Sequence, residues 1–220
     1  GYEDSPEQLV EDMMENGHNK NDRATVELFA NTIGEAFDWL VDENGAAVPY
    51  QRSGEPTRSY SGVGRGAGVC QSLCDKFLAE GGTLLLNTPA TALIINDGAV
   101  TGVMAEGEGK AYTINAKAVI LTSGGFGANM DMVVEYKPEL KGFMTTNAPG
   151  ILGQGIKMAQ AIGADTVDMD QIQIHPTVEA NTAALITEGL RGDGAVLINA
   201  EGKRFIDEVG TRDVVSAAEI

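Results

Sequence analysis

Apolar residues recur at helical spacing in the first eighty positions. Leu9, Val10, Met13 and Met14 form one stripe. Ahead of it, Ser5 is placed to cap, Pro6 fits a first helical position and Gln8 completes a capping box, while Gly17 marks the far end. A second helix is predicted from about Asp22, with Phe29, Ile33, Phe37, Leu40 and Val41 on one face and a stop at Asn44-Gly45. Residues 46–66, rich in Gly, Ser, Pro and Arg, carry no period and predict a long loop, functional or mobile. A third helix runs from about Gly68 to Glu80 and halts at Gly81-Gly82.

The period then changes. Thr83–Asn87 and Thr91–Ile95 read as strands, and the second closes on Asn96-Asp97-Gly98, a strong hairpin turn. Val100–Ala105 and Ala111–Asn115 continue a β-meander across the turn residues Gly107, Glu108 and Gly109. Ala118-Val119-Ile120-Leu121 is an unbroken apolar run, the pattern of a strand buried on both faces. Helices are predicted near Ala128–Tyr136 and Gly153–Ile162, and after Asp165 the chain turns to short strands and loops. The pattern is mixed α/β, and the shift near residue 168 marks the start of a different module.

Composition narrows the partners. The 220 residues are 43% hydrophobic, enough for a packed core and too apolar for disorder. No run approaches the ~18 apolar residues of a membrane helix, and Gly1–Ser5 has neither the basic start nor the apolar core of a signal peptide. The net charge is −17, which repels phosphate backbones and anionic lipids, so neither nucleic acid nor a membrane surface is expected as a partner. Cys70 and Cys74 share a face of the third helix beside Val69, Leu73 and Phe77 and read as two buried thiols. His18 and His175 lie far from them in sequence, so no metal site is expected.

Three stretches have the composition of a binding site. Thr122-Ser123-Gly124-Gly125 follows the apolar run with no Cβ at two positions, which lets a phosphate or flat ring approach the main chain. Gly153-Gln154-Gly155 opens a helix, where free N–H groups attract anions. Each is equally well a simple tight turn. No G-x-G-x-x-G follows a strand and no Walker A motif is present. The last stretch sets His175 beside Pro176, then Thr187-Glu188-Gly189-Leu190-Arg191, then Arg204 after the Glu201-Gly202 turn. A histidine and two arginines on glycine-rich backbone suit a carboxylate, although a structural histidine and a solvated Lys203-Arg204 pair fit the spacing too.

The runs IQIHPT, ITEGLRGDGAVLINAEGKRFIDE and TRD resemble the FAD-dependent fumarate reductase and succinate dehydrogenase flavoproteins. The likeness is closer to their single-chain branch of soluble flavocytochrome c fumarate reductases and urocanate reductase. NDRATVELFANTIGEAFDWL, GVGRGAGVCQSL, AVILTSGGFGAN and KGFMTTNAPGILGQG match in the same order, so the resemblance covers essentially the whole chain. It implies an α/β fold: part of a Rossmann-like FAD-binding domain with an antiparallel β-meander (residues 1–168), followed by the start of an α+β capping domain (169–220). It also places the G-x-G-x-x-G unit before Gly1 and the rest of the cap after Ile220. A piece of this kind is expected to bind FAD weakly or not at all by itself, and to be inactive alone.

The resemblance also implies roles. His175 and Thr187 match residues that hold a substrate carboxylate. Arg204 matches the acid that protonates carbon, and Glu188 and Arg191 match the relay that reprotonates it. Thr122, Ser123, Gly124 and Gly125 match backbone beside the FAD phosphates and adenosine, Ala90 main chain near adenine, and Gly153, Gln154 and Gly155 a further cofactor contact, where Gln154 departs from the usual Gly-Asp-Gly. The implied activity is reduction of the C=C bond of a small unsaturated carboxylate such as fumarate or urocanate, with FAD as cofactor. An electron donor protein or domain lies outside the chain. Arg58 and Tyr60 are the visible candidates for reading the far end of the substrate. The alternatives are a family member running oxidatively on succinate or a steroid ketone, an inert FAD-domain fragment, and an acidic interaction domain. The Glu-Arg-Arg set favours the reductive direction. No C-x-x-C-H haem motif is present.

Overall fold

The structure, a computed structural model, describes residues 4–48, residue 58 and residues 62–220. The chain divides into two compact units, Gly1–Leu86 and Asn87–Ile220.

The first unit is helical. Helix α1 (Pro6–Asn16) starts as its sequence dictates: Ser5 is extended and its hydroxyl accepts the Gln8 N–H at 3.1 Å. Helix α2 (Arg23–Asp38) is capped by Asp22, whose carboxylate accepts the amides of Ala24 and Thr25, and it runs on into a π-helical turn over Trp39–Glu43. The core is small. Val10 and Met14 of α1 meet Val26 and Ala30 of α2, with Leu9 and Met13 packed against them. Phe29 and Ile33, expected on the apolar face, stay 44% and 41% exposed, because α1 covers only the Val26–Ala30 side. Helix α3 (Arg65–Ala79) buries no residue. Cys70 is exposed and Cys74 half-buried, so the two free thiols are not the core residues their spacing predicts.

The second unit carries the sheet. Strands β1 (Ala90–Asn96), β2 (Ala99–Gly107) and β3 (Lys110–Asn115) form an antiparallel meander in the order β1-β2-β3. Both connections are two-residue turns with positive φ at each central residue, 49° and 80° at Asp97-Gly98 and 51° and 73° at Glu108-Gly109, as a type I′ hairpin requires. In β2, Gly102 lies against β3 so closely that a Cβ there would sit 2.2 Å from the Ile114 carbonyl oxygen. Short helices α4 (Met130–Tyr136), α5 (Gln154–Gln160), α6 (Glu188–Gly192) and α7 (Arg212–Glu219) follow, and α5 lies against β1.

Two expected strands are absent among the described residues, and the short strands expected after Asp165 are reduced to isolated bridges. Thr83–Asn87 and Ala118–Leu121 form no ladder among the described residues, and Leu86 and Ile120 are 70% and 85% exposed. A strand exists through its neighbours' hydrogen bonds, so an apolar run without a ladder remains an extended segment. Val196–Asn199 shrinks to one antiparallel bridge, Ile198 with Arg204, closed by the Asn199 and Lys203 backbone at 2.9 Å.

Two glycines of the meander separate strain from collision. Gly98→Ala meets no neighbour and is expected to cost only the roughly 1–2 kcal/mol of a left-handed residue. Gly102→Ala drives a Cβ into the backbone of β3 and is expected to cost more, with faster amide exchange along β2 and β3. Thermal unfolding and hydrogen exchange of the full-length protein check this; equal losses at the two positions would show that the close approach to Ile114 is not real.

Candidate active site

The two glycine segments that looked unrelated in sequence are one feature. The Gly153 N–H donates to the Gly125 carbonyl at 3.0 Å, and Ala128 N–H donates to the Ile151 carbonyl at 2.9 Å. Gly153 precedes α5 with φ of 76°, and a Cβ there would lie 2.7 Å from Met132 Sδ and 2.8 Å from Phe126 Cβ. Gly155 is equally constrained: a Cβ would fall 2.0 Å from the Ser123 hydroxyl oxygen. Thr122, Ser123, Gly124 and Gly125 are exposed, Gly153 and Gly155 are buried beneath them, and Gln154 points its side chain into solvent. Ala90 opens β1 opposite Ala105 and is exposed, with α5 beside its strand. The result is a bare main-chain shelf, Gly124-Gly125, backed by a tight glycine contact. Its form fits a flat or phosphate-bearing group approaching backbone.

A titratable cluster lies elsewhere in the same unit. Glu188 is the first residue of α6, and Thr187, at the cap position, makes no side-chain capping bond and is exposed. The Nε and Nη2 of Arg212, first residue of α7, both reach Glu188 Oε1. Its Nη1 donates to Gln173 Oε1 at 2.6 Å. The same Glu188 oxygen lies 3.3 Å from His175 Nε2. His175 is nine-tenths buried; its Nδ1 is 3.0 Å from the Thr177 carbonyl and 3.2 Å from the Thr177 amide, and its buried Nε2 has no hydrogen bond of good geometry. The Glu188 amide N–H, then His175 and Arg212, outweigh burial and hold its carboxyl at about 2.

Arg191 and Arg204 converge elsewhere. Both reach Glu208, which is 3% exposed. Arg191 donates Nη1 to the Glu208 carbonyl at 2.7 Å, while its buried Nε and Nη2 have no hydrogen-bond partner among the described residues. Arg204 binds the Glu208 carboxylate through Nε at 3.0 Å and Nη2 at 2.6 Å, and the Leu197 amide donates to Oε1 at 2.8 Å. Burial raises the Glu208 carboxyl, but its own amide, the Leu197 amide and Arg204 leave it below the usual range. The five predicted substrate and relay residues thus fall into two groups. His175 and Glu188 meet directly, with Thr187 preceding Glu188, whereas Arg191 and Arg204 share Glu208.

A cleft of about 710 Å³ opens beside the first group, with walls that include Phe143, Met144, His175, Arg212, Ser216 and Glu219. Burial raises the Glu219 carboxyl, opposed by Arg191 and His175. Sequence reasoning missed Gln173, Glu208, Arg212, Ser216 and Glu219. Arg212, Ser216 and Glu219 stand four and three residues apart, one face of a helix, and that periodicity was the available signal. Nothing local links Arg212 to Glu188. Arg58 is already committed: it donates to Asp4 at 2.6 and 2.8 Å and to Asp12 at 2.7 Å. Tyr60 lies outside the described residues.

Known proteins place this geometry. The chain is 39% identical over 227 residues to the fumarate reductase (cytochrome) of Shewanella frigidimarina, covering 98% of this chain and 39% of that protein. It is 38% identical over 232 residues to the urocanate reductase of Eggerthella lenta, covering 99% of this chain and 38% of that protein. It therefore spans about two fifths of these relatives. Among solved structures, the open conformation of a flavocytochrome c3 fumarate reductase superposes with a TM-score of 0.83 at 34% identity, over 98% of this chain and 40% of that one. The α/β fold with its meander is that of an FAD-binding domain. A family model described as FAD binding domain matches residues 1–220, and by that match the chain belongs to the FAD binding domain family, FAD_binding_2.

Proposed function

We propose that this chain is part of an FAD-dependent reductase that saturates the C=C bond of a small unsaturated carboxylate of the fumarate or urocanate kind. The observation that carries the reading is the meeting of His175, Glu188 and Arg212 beside a cleft of about 710 Å³, which His175 and Arg212 line. The names of the relatives, which include fumarate, urocanate and acrylate oxidoreductases, support the substrate class. Residues 1–168 act as FAD domain and 169–220 as the start of a cap, since every substrate and relay residue lies beyond 168. An electron donor outside the chain completes the system.

When bound, FAD supplies the hydride; Thr122–Gly125, Gly153–Gly155 and Ala90 would hold it by main-chain contact. His175 and Thr187 bind a substrate carboxylate. Negative charge builds on the substrate as it is reduced, and a cation fixed in a water-poor site stabilises that charge strongly. Arg204 gives a proton to carbon. Guanidinium releases protons poorly in water, so the step requires immediate replacement from a neighbouring carboxyl, the part assigned to Glu188 with Arg191 behind it. Arg204 is 58% exposed and held by Glu208, with Asp207 at 3.9 Å, so reaching a bound substrate requires it to leave a buried counter-ion when a cap closes.

Two measurements follow in the full-length protein. In steady-state reduction of fumarate and urocanate, Arg204→Ala is expected to lower kcat by roughly 10²–10⁴-fold, the loss of a general acid. Arg204→Lys is also poor because the planar fork is gone. Glu188→Gln loses turnover more than substrate affinity. Near-normal turnover of Arg204→Ala would end the assignment. Separately, Gly125→Ala meets no neighbouring atom, so stability is unchanged, yet it places a methyl on the shelf. FAD affinity, read by flavin fluorescence, should fall about 10-fold or more; unchanged affinity would show that the cofactor does not approach the chain there.

A further inference from the structure

We infer that Ser216 and Glu219 of α7 set the substrate preference of the cleft. They select an unsaturated monocarboxylate whose far end carries an N–H group over a dicarboxylate. The inference rests on the reductase reading proposed above and names the end of the substrate that reading leaves open. Arg212, Ser216 and Glu219 stand four and three residues apart on α7, and all three line the cleft. At about 1.5 Å of rise per residue the stripe runs about 10 Å, with the cation first and the carboxylate last.

Ser216 is 3% exposed, and its hydroxyl has no hydrogen-bond partner among the described residues. A serine inside a helix commonly bonds the carbonyl four residues back, and Ser216 does not. A buried hydroxyl left unpaired costs free energy, so a ligand group that bonds to it gains affinity. His175 Nε2 is a second buried polar atom without a good hydrogen bond, and His175 lines the same cleft. Phe143, Met144, Val178 and Leu185 add apolar lining, which suits a flat carbon body.

The two ends differ in charge. His175 marks the end proposed for the substrate carboxylate. Glu219 stands at the other end of the stripe, and its carboxyl has no hydrogen bond among the described residues. Burial raises that carboxyl, while the charges of Arg191 and His175 oppose the shift. The second carboxylate of a dicarboxylic acid would face Glu219, and like charges set opposite each other are costly. An N–H group, such as that of an imidazole, meets an acceptor there instead. The Ser216 hydroxyl accepts from it as well. The preference therefore comes from repulsion of one acid as much as from attraction of the other.

The test uses the full-length, FAD-loaded protein as wild type, Glu219→Gln and Ser216→Ala. Steady-state kcat/KM is measured for urocanate and fumarate, and calorimetry follows binding of their saturated counterparts, imidazolepropionate and succinate. Wild type should favour urocanate by about 10-fold or more. Glu219→Gln should lower kcat/KM for urocanate about 10-fold, mainly through KM, and raise it for fumarate. Ser216→Ala should weaken urocanate about 3-fold and leave fumarate unchanged. A wild type that favours fumarate would overturn the inference, as would equal changes for both acids in either variant. If wild type reduced neither acid, the reductase reading itself would fall. Calorimetry would still decide whether Glu219 favours the imidazole acid over succinate, and equal binding of the two would overturn the inference on its own.

Discussion

One oxygen atom, Glu188 Oε1, ties the C-terminal part of the second unit together. The α6 start, the α7 start and the buried edge of His175 all meet on it. None of these pieces has much else to hold it. Helix α6 is five residues long, α7 eight, and among the described residues one isolated bridge, Ile198 with Arg204, lies between them. Helices of that length do not persist through backbone hydrogen bonds alone, so their placement depends on side-chain contacts. Val215, fully buried on α7, supplies the apolar contact; the ionic knot supplies direction.

A second carboxylate does the same work close by. Glu208 is buried, yet Leu197, Arg191 and Arg204 satisfy its carboxylate and carbonyl. Removing a buried ion's partner costs far more than a surface pair ever returns, which gives Glu208 a structural grip on both arginines. Cationic groups kept on acidic counter-ions are available for exchange. The proposed function would require such an exchange, because a donor and its relay must be adjacent when substrate is bound and need not be beforehand.

Much of this was legible along the chain. The Ser5 cap with Pro6 behind it, a second helix beginning near Asp22 and the two tight hairpins follow from local chemistry and appear as expected, whereas the Gln8 half of a capping box does not: Gln8 turns its side chain to Asp12 and the Ser5 N–H donates to Asp4. The glycine pairs at 124–125 and 153–155 were visible, but their union was not, since a hydrogen bond between residues so far apart leaves no local periodicity. The apolar run Ala118–Leu121 misled for a related reason: hydrophobicity signals what a strand seeks to bury, and only a partner makes it a strand. His175, Glu188, Arg191 and Arg204 were given roles through motif resemblance, whereas Arg212, in the run TRD, and Glu208, at the end of the run ITEGLRGDGAVLINAEGKRFIDE, lay inside the matching runs without one, because charged residues near helix starts and turns are ordinary surface chemistry until a fold brings a partner.

The central claim is that reduced FAD, when bound, would supply hydride to an unsaturated acid that the chain's cationic and carboxylate groups bind and protonate. The most direct measurement mixes the full-length protein, with its flavin reduced anaerobically, against fumarate, urocanate and a saturated dicarboxylate, and follows flavin absorbance in a stopped-flow instrument. The account predicts rapid reoxidation by at least one unsaturated acid, none by the saturated acid, and loss of the fast phase in Arg204→Ala. Reoxidation by no unsaturated carboxylate, or at equal rates in wild type and Arg204→Ala, would contradict it.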